Sequence, residues 1–159
     1  MSIVVESITK IYGEQKAVND ISFTVNRGEV VGFLGPNGAG KSTTMKMITG
    51  YLKPDAGNIK VCDVDVLTDT LNGKKKIGYL PEANPLYYDM YVKEYLGFVA
   101  GVFKIQDSKS KIKNVIEQTG LDVECHKKIG QLSKGYKQRT GLAAALLHEP
   151  EVLILDEPT

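Results

Sequence analysis

Between Gly32 and Thr44 the sequence reads GFLGPNGAGKSTT, four glycines and a proline leading into one lysine and three hydroxyl residues. Within it, Gly35, Pro36, Asn37, Gly38, Ala39, Gly40, Lys41 and Ser42 satisfy the G-x-x-x-x-G-K-[ST] pattern in full. Wrapping a phosphate chain needs successive backbone N–H groups turned inward, in dihedrals that glycine reaches at little cost. A helix beginning at Lys41 aims its positive dipole end at the same point. The Lys41 ammonium supplies a point charge for the terminal phosphates, and the Ser42 hydroxyl is a hard oxygen suited to Mg²⁺. Thr43 completes the stretch. The plainer reading, a glycine-rich turn with a solvated lysine, is disfavoured by the full match and by the strand and helix expected on either side.

A second stretch, VLILDEPT from Val152 to Thr159, sets two acids at the end of an apolar run. In α/β folds, ligands bind outside the carboxyl ends of the strands. There Asp156 would hold Mg²⁺ indirectly and Glu157 would polarise an attacking water as general base. Alone, two acids at a strand end are as readily solvated turn residues; the phosphate-binding loop elsewhere in the chain favours the chemical reading.

A third stretch, Leu132-Ser133-Lys134-Gly135-Tyr136-Lys137-Gln138-Arg139, makes the pattern specific. By itself Ser133 is an ordinary helix N-cap. In order with the other two motifs, however, it resembles the LSGGQ signature of ATP-binding cassette (ABC) ATPases, and the resemblance runs over essentially the whole chain. It implies that ATP is bound and hydrolysed with Mg²⁺ as cofactor. It also implies that Ser133 and Gly135 face the γ-phosphate of ATP held by a second nucleotide-binding subunit in a head-to-tail dimer. Lys134 and Tyr136 depart from the consensus. By the same resemblance Tyr12, in KIYG, stacks on adenine; a tyrosine packed at a strand edge is the alternative. Glu82, in IGYLPE, stands where the family usually has a glutamine that touches Mg²⁺ and the attacking water. The substitution keeps an oxygen, removes two N–H donors and adds negative charge.

The stretches LPEANPLYYDMYVKEYL and LSKGYKQR are similar to those of ABC-2-type exporters, with the gliding-motility-associated ATPases as the group most alike. That likeness implies an ATPase subunit driving separate integral membrane permease subunits, cytoplasmic and peripheral on the inner face of the cell membrane. Tyr87, Tyr88, Tyr91 and Tyr95 belong either to the surface receiving a permease helix or to core packing. The competing functions are a soluble, ribosome- or DNA-associated cassette ATPase and a nucleotide-binding module without catalysis.

The elements that must position these residues are legible in outline. Strands are expected at Ile3–Val5, Ile21–Val25 and Glu29–Leu34, with turns at Gly13–Gln15 and Asn26–Gly28. A helix follows from Lys41 to Thr49, ended by Gly50. The KPDAG turn (Lys53–Gly57) leads to strands at Asn58–Val61 and Ile77–Leu80. Val92, Tyr95, Leu96, Val99, Val102 and Phe103 keep helical spacing. Further helices begin near Ser108, closing at Gly120, and near Lys134, reaching Leu147. The uninterrupted Val152–Leu155 run reads as a strand buried on both faces.

The fold class is therefore α/β, and the resemblance implies a P-loop NTPase with a RecA-like core, an N-terminal antiparallel β subdomain and a helical insertion. The expected division is residues 1–84 for the β subdomain and part of the P-loop core, 85–147 for the helical subdomain and 148–159 for the strand carrying Asp156, the Walker B strand. The family continues beyond that strand, so the chain is expected to be a truncated cassette that hydrolyses little ATP alone.

With 159 residues, a formal net charge of +1 and 25% charged residues, the composition is that of one globular domain. It gives nucleic-acid binding no support. Cys62 and Cys125 fit no metal or redox motif. His126 and His148 both read as surface residues. No signal peptide or bilayer-length apolar run is present, so any membrane-spanning part would come from another chain.

Overall fold

The computed structural model describes residues 1–157; Pro158 and Thr159, the end of the DEPT stretch, lie outside the described residues. The chain divides into two compact units, Met1–Ile77 and the residues from Gly78 onward.

In the first unit, β1 (Ile3–Tyr12) and β2 (Gln15–Val25) form an antiparallel hairpin, and β3 (Ala56–Val61) and β4 (Val64–Asp65) extend the sheet in the order β2-β1-β3-β4. Side chains on a strand alternate between faces, so an inserted residue exchanges the two faces. In β1, Ile3 and Val5 point inward, and the bulge between Val5 and Ile8, with Ser7 at φ 47°, resets the parity so that Ile8 is buried as well. Val18, Ile59 and Val61 join them, with Met47 and Ile48 of α1 (Lys41–Ile48) also buried. Gly50, at φ 70°, ends α1 as expected.

Two short elements have no clear signal in the sequence, β4 and α2 (Thr70–Lys76). The α2 sequence TLNGKKK has almost no apolar face, and the helix is held instead by the Asp69 carboxylate, which accepts from the Asn72 backbone N–H and side-chain amide.

The second unit contains α3 (Val92–Val102), α4 (Ser108–Gln118), a 3₁₀ turn at Ile129–Gln131 and α5 (Lys134–Leu146). Val92, Leu96 and Ala100 of α3, Val115 and Ile116 of α4, and Ala143 of α5 share one buried cluster. β5 (Ile77–Leu80) starts at the unit boundary and pairs with β6 (Val152–Leu155).

Three expectations need correction. Glu29–Leu34 forms no strand: Val30, Val31 and Leu34 are exposed. An apolar run becomes a strand only when a neighbour supplies the ladder, and no described residue does so. β6 is buried on one face only, since Leu153 is 41% exposed, and β5 is its one strand neighbour among the described residues. His148 is no surface residue; its ring stacks on Phe103 at 4.1 Å with 5° between the planes, whereas His126 is exposed. Among the described residues, no helix is long and apolar enough to cross a membrane.

Candidate functional site

The glycine loop and its helix lie in the first unit. Gly38 and Gly40 take φ values of 82° and 86°, in the left-handed region that side chains avoid. At Gly40 a Cβ would also collide with the Ala17 carbonyl, so this position has no room for another residue. Pro36, Asn37, Gly38 and Ala39 form the exposed crest of the loop, closed by the Ala39 N–H donating to the Pro36 carbonyl at 3.1 Å. Thr44 anchors the helix start, its N–H and its hydroxyl each donating to the Gly40 carbonyl at 2.8 Å. Ser42 and Thr43 are half-buried in the first turn of α1, which carries no acidic residue to compete with an anion at the dipole end.

Lys41 folds back over this loop. Its Nζ donates to the carbonyls of Gly35 at 2.6 Å and Pro36 at 2.9 Å. The ammonium is therefore held at the loop by neutral acceptors, which leave its charge uncompensated and directed at whatever the loop encloses.

Tyr12, at the end of β1, is 51% exposed and pairs with Gln15 across the hairpin turn. Half a ring open to solvent suits a stacking surface better than core packing. Two residues that sequence reasoning missed attend it. Lys10 Nζ sits 5.7 Å from the Tyr12 ring centroid, and Asp55 accepts hydrogen bonds from Lys10 and from the Ile11 amide. The KPDAG stretch signals a turn in sequence, and the second use of its acid is visible only when β1 lies alongside.

In the second unit, Asp156 follows β6 and is 4% exposed, its N–H donating to the Leu80 carbonyl at 2.9 Å. Glu157, next in the chain, is exposed and takes φ 49°, an uncommon conformation for a residue with a long side chain. Such backbone strain accumulates where a side chain must be aimed. Glu82, two residues past β5, is exposed. The β5–β6 pairing therefore brings the strand ends leading to Glu82 and to Asp156 together.

Ser133 is the N-cap of α5, its Oγ accepting from the Tyr136 N–H at 3.4 Å, with Gly135 in the first turn. The two departures from the signature consensus differ in character. Tyr136 packs against the helical core, and the Arg139 guanidinium lies 5.1 Å from its ring centroid while donating to the Gly120 carbonyl. Lys134 is exposed in the first turn of α5 and adds positive charge there. Of the four tyrosines around α3, Tyr87, Tyr88 and Tyr91 are about half-exposed and Tyr95 packs against the core. The Tyr87 ring contacts Tyr95 at 6.0 Å and Phe98 at 5.7 Å, and Lys137 and Lys128 approach Tyr88 and Tyr91.

Among the described residues no group of three His, Cys, Asp or Glu side chains forms a metal cage. A cation bound here would rest on few protein oxygens, as Mg²⁺ does when phosphates supply the remaining ligands.

A helix headed by a glycine loop and lysine, in a chain of mixed strands and helices, defines a P-loop fold of the α/β class. The ABC transporter family model matches residues 18–159, and the chain belongs to that family. It is similar to the bacitracin transport ATP-binding protein BcrA of Bacillus licheniformis, 40% identical over 100% of this chain and 52% of that protein. It is also similar to the linearmycin resistance ATP-binding protein LnrL of Bacillus subtilis (strain 168), 42% identical over 97% of this chain and 50% of the relative. The dimeric structure of MJ0796, a bacterial ABC transporter cassette, superposes with a TM-score of 0.88 at 25% identity, covering 99% of this chain and 74% of that one. The chain spans about half the length of the curated relatives it matches.

Proposed function

We propose that this chain is the ATP-binding and ATP-hydrolysing part of an ABC-type exporter subunit. The observation that carries the reading is the Lys41 ammonium, held at 2.6 and 2.9 Å from the Gly35 and Pro36 carbonyls at the head of an acid-free helix turn. The bacitracin transport and linearmycin resistance relatives support a transport role, and the Nod factor export relative supports its direction.

In this reading, residues Gly35–Thr43 enclose the phosphate chain, Lys41 neutralises charge on its terminal groups, and the Tyr12 ring stacks on adenine. Mg²⁺, when bound, neutralises phosphate charge during transfer to water; Ser42 and Asp156 would hold it, with Glu82 nearby in role. Glu157 takes the proton from the attacking water as general base. Glu82 orients that water as an acceptor only, since it lacks the amide donors of glutamine. Ser133 and Gly135, at the dipole end of α5, serve the γ-phosphate bound by a second nucleotide-binding subunit; the dimeric MJ0796 cassette supports the pairing of two subunits.

Closure of the dimer on ATP and reopening after hydrolysis would drive separate permease subunits, with the protein peripheral on the cytoplasmic face of the membrane. The exposed Tyr87, Tyr88 and Tyr91 offer the apolar surface for that contact. A subdomain division at residues 84 and 147 and a gliding-motility role belong to the same proposal.

The deciding experiment is calorimetry of Mg-ATP binding to the full-length protein and its Lys41→Ala variant. Loss of the charged hydrogen bonds is expected to weaken binding about tenfold to a hundredfold. Equal affinities would overturn the reading. Glu157→Gln is expected to keep binding while lowering the hydrolysis rate about 10²–10⁴-fold.

A further inference from the structure

We infer that Asp55 is a positioning residue for the Tyr12 ring, clamping the tip of the β1–β2 hairpin to the segment that leaves α1. This rests on the reading of Tyr12 as the adenine platform.

The need for a clamp follows from the sheet register. β3 accompanies β1 only as far as the pair Thr9 and Ala56, so β1 runs three residues, Lys10 to Tyr12, past its neighbour. An amide on that overhang has no ladder partner on the β3 side. Asp55, the residue just before β3, fills the gap in two ways. Its own N–H donates to the Thr9 carbonyl at 2.8 Å, and its Oδ2 accepts from the Ile11 N–H at 2.7 Å. The carboxylate thus continues the ladder one step beyond the strand, at the residue adjoining Tyr12.

The second oxygen fixes the side chain that lies against the ring. Oδ1 accepts from Lys10 Nζ at 3.1 Å, and the same ammonium donates to the Lys53 carbonyl at 2.9 Å. Held there, Lys10 lies 5.7 Å from the Tyr12 ring centroid. The other end of the clamp is tied to the phosphate-binding helix. Tyr51 and Leu52 donate their N–H groups to the Lys46 carbonyl of α1, and Lys53 follows at once. The Ile11 amide first, and then Lys10, hold the Asp55 carboxyl below its ordinary value of 3.8, as hydrogen bonds to the charged form do. A single acid therefore links the helix that meets the phosphates to the ring that meets the base.

The test compares binding of Mg-ATP with that of Mg-tripolyphosphate, which carries phosphates but no base. Tyr12→Ala should weaken ATP about tenfold and leave tripolyphosphate within about twofold. Asp55→Ala should shift the same ratio in the same direction, by about three- to tenfold. Asp55→Asn, which keeps an acceptor for Ile11, should fall between Asp55→Ala and the wild type. If Tyr12→Ala changes the ratio and both Asp55 variants leave it at the wild-type value, Asp55 does not position the ring. The clamp is equally refuted if the Asp55 variants weaken ATP and tripolyphosphate in parallel, since a general loss of structure does that. If Tyr12→Ala leaves the ratio unchanged, the adenine platform is lost and the clamp with it.

Discussion

The side chain of Asn84 lies directly over Gly141, its Nδ2 donating to the Lys137 carbonyl at 3.3 Å. Asn84 belongs to the segment that follows Glu82, and Gly141 sits in α5, the helix that Ser133 caps. A Cβ at position 141 would occupy the space of the Asn84 amide and press on Leu80. The segment after β5 and the helix behind the signature stretch are therefore joined by a contact that only glycine allows.

Gly141→Ala is expected to destabilise the second unit by about 1–3 kcal/mol, the usual cost of overpacking. Adding Asn84→Ala should recover part of the loss, because the offending group is then gone. Urea unfolding of the two single variants and the double variant gives the coupling; strictly additive effects would show that the two side chains do not meet.

Glu157→Asn should uncouple stability from turnover. Asparagine tolerates a left-handed backbone better than glutamate, and the φ of 49° at this position stores strain of about 1–2 kcal/mol for an unsuited residue. The variant is expected to unfold at slightly higher urea than the wild type while losing hydrolysis. Destabilisation would mean that the backbone here is not strained.

Acid should release the Asp55 clamp. Its folded value is depressed below 3.8, so its contribution to stability is complete above that value and is lost as pH falls through the lower folded one. The gap in unfolding midpoint between the wild type and Asp55→Asn should be constant at neutral pH and close as pH falls below 3.8. Glu29, depressed below 4.5 by the backbone amide of Asn26 and then by its side chain, should act in the same sense.

Leu96→Ala tests the helical core. Leu96 is wholly buried among Val92, Ala100 and the facing residues of α4 and α5. A loss of about 2–5 kcal/mol is expected from the lost burial and the cavity left behind. A change below about 1 kcal/mol would indicate that α3 repacks freely.

What can be read from the sequence follows the reach of local rules. α3, α4 and α5 are legible because their apolar positions repeat at helical spacing, and the glycine loop because each fixed residue answers one steric or electrostatic demand. β5 is bounded correctly by the following Pro81. Sheet membership is less legible, since it depends on a neighbour. Glu29–Leu34 has the apolar composition of a strand and no strand partner among the described residues, and β4 has a partner with hardly any composition to announce it. The setting of Tyr12 is half legible. The aromatic ring is a property of one residue, but its support comes from Asp55, forty-three positions along, and depends on the register of β1 against β3.

With no strand neighbour among the described residues, the segment from Val30 to Leu34 also governs how residues 1–159 by themselves behave in bulk. VVGFL is uncharged, free of proline and rich in residues that favour extended backbone, and Val30 and Leu34 are almost fully open to water. Exposed apolar windows of this kind are aggregation hazards. Concentrated samples of residues 1–159 alone should therefore precipitate through this segment first, and a single charge at Val31 should keep more of them in solution.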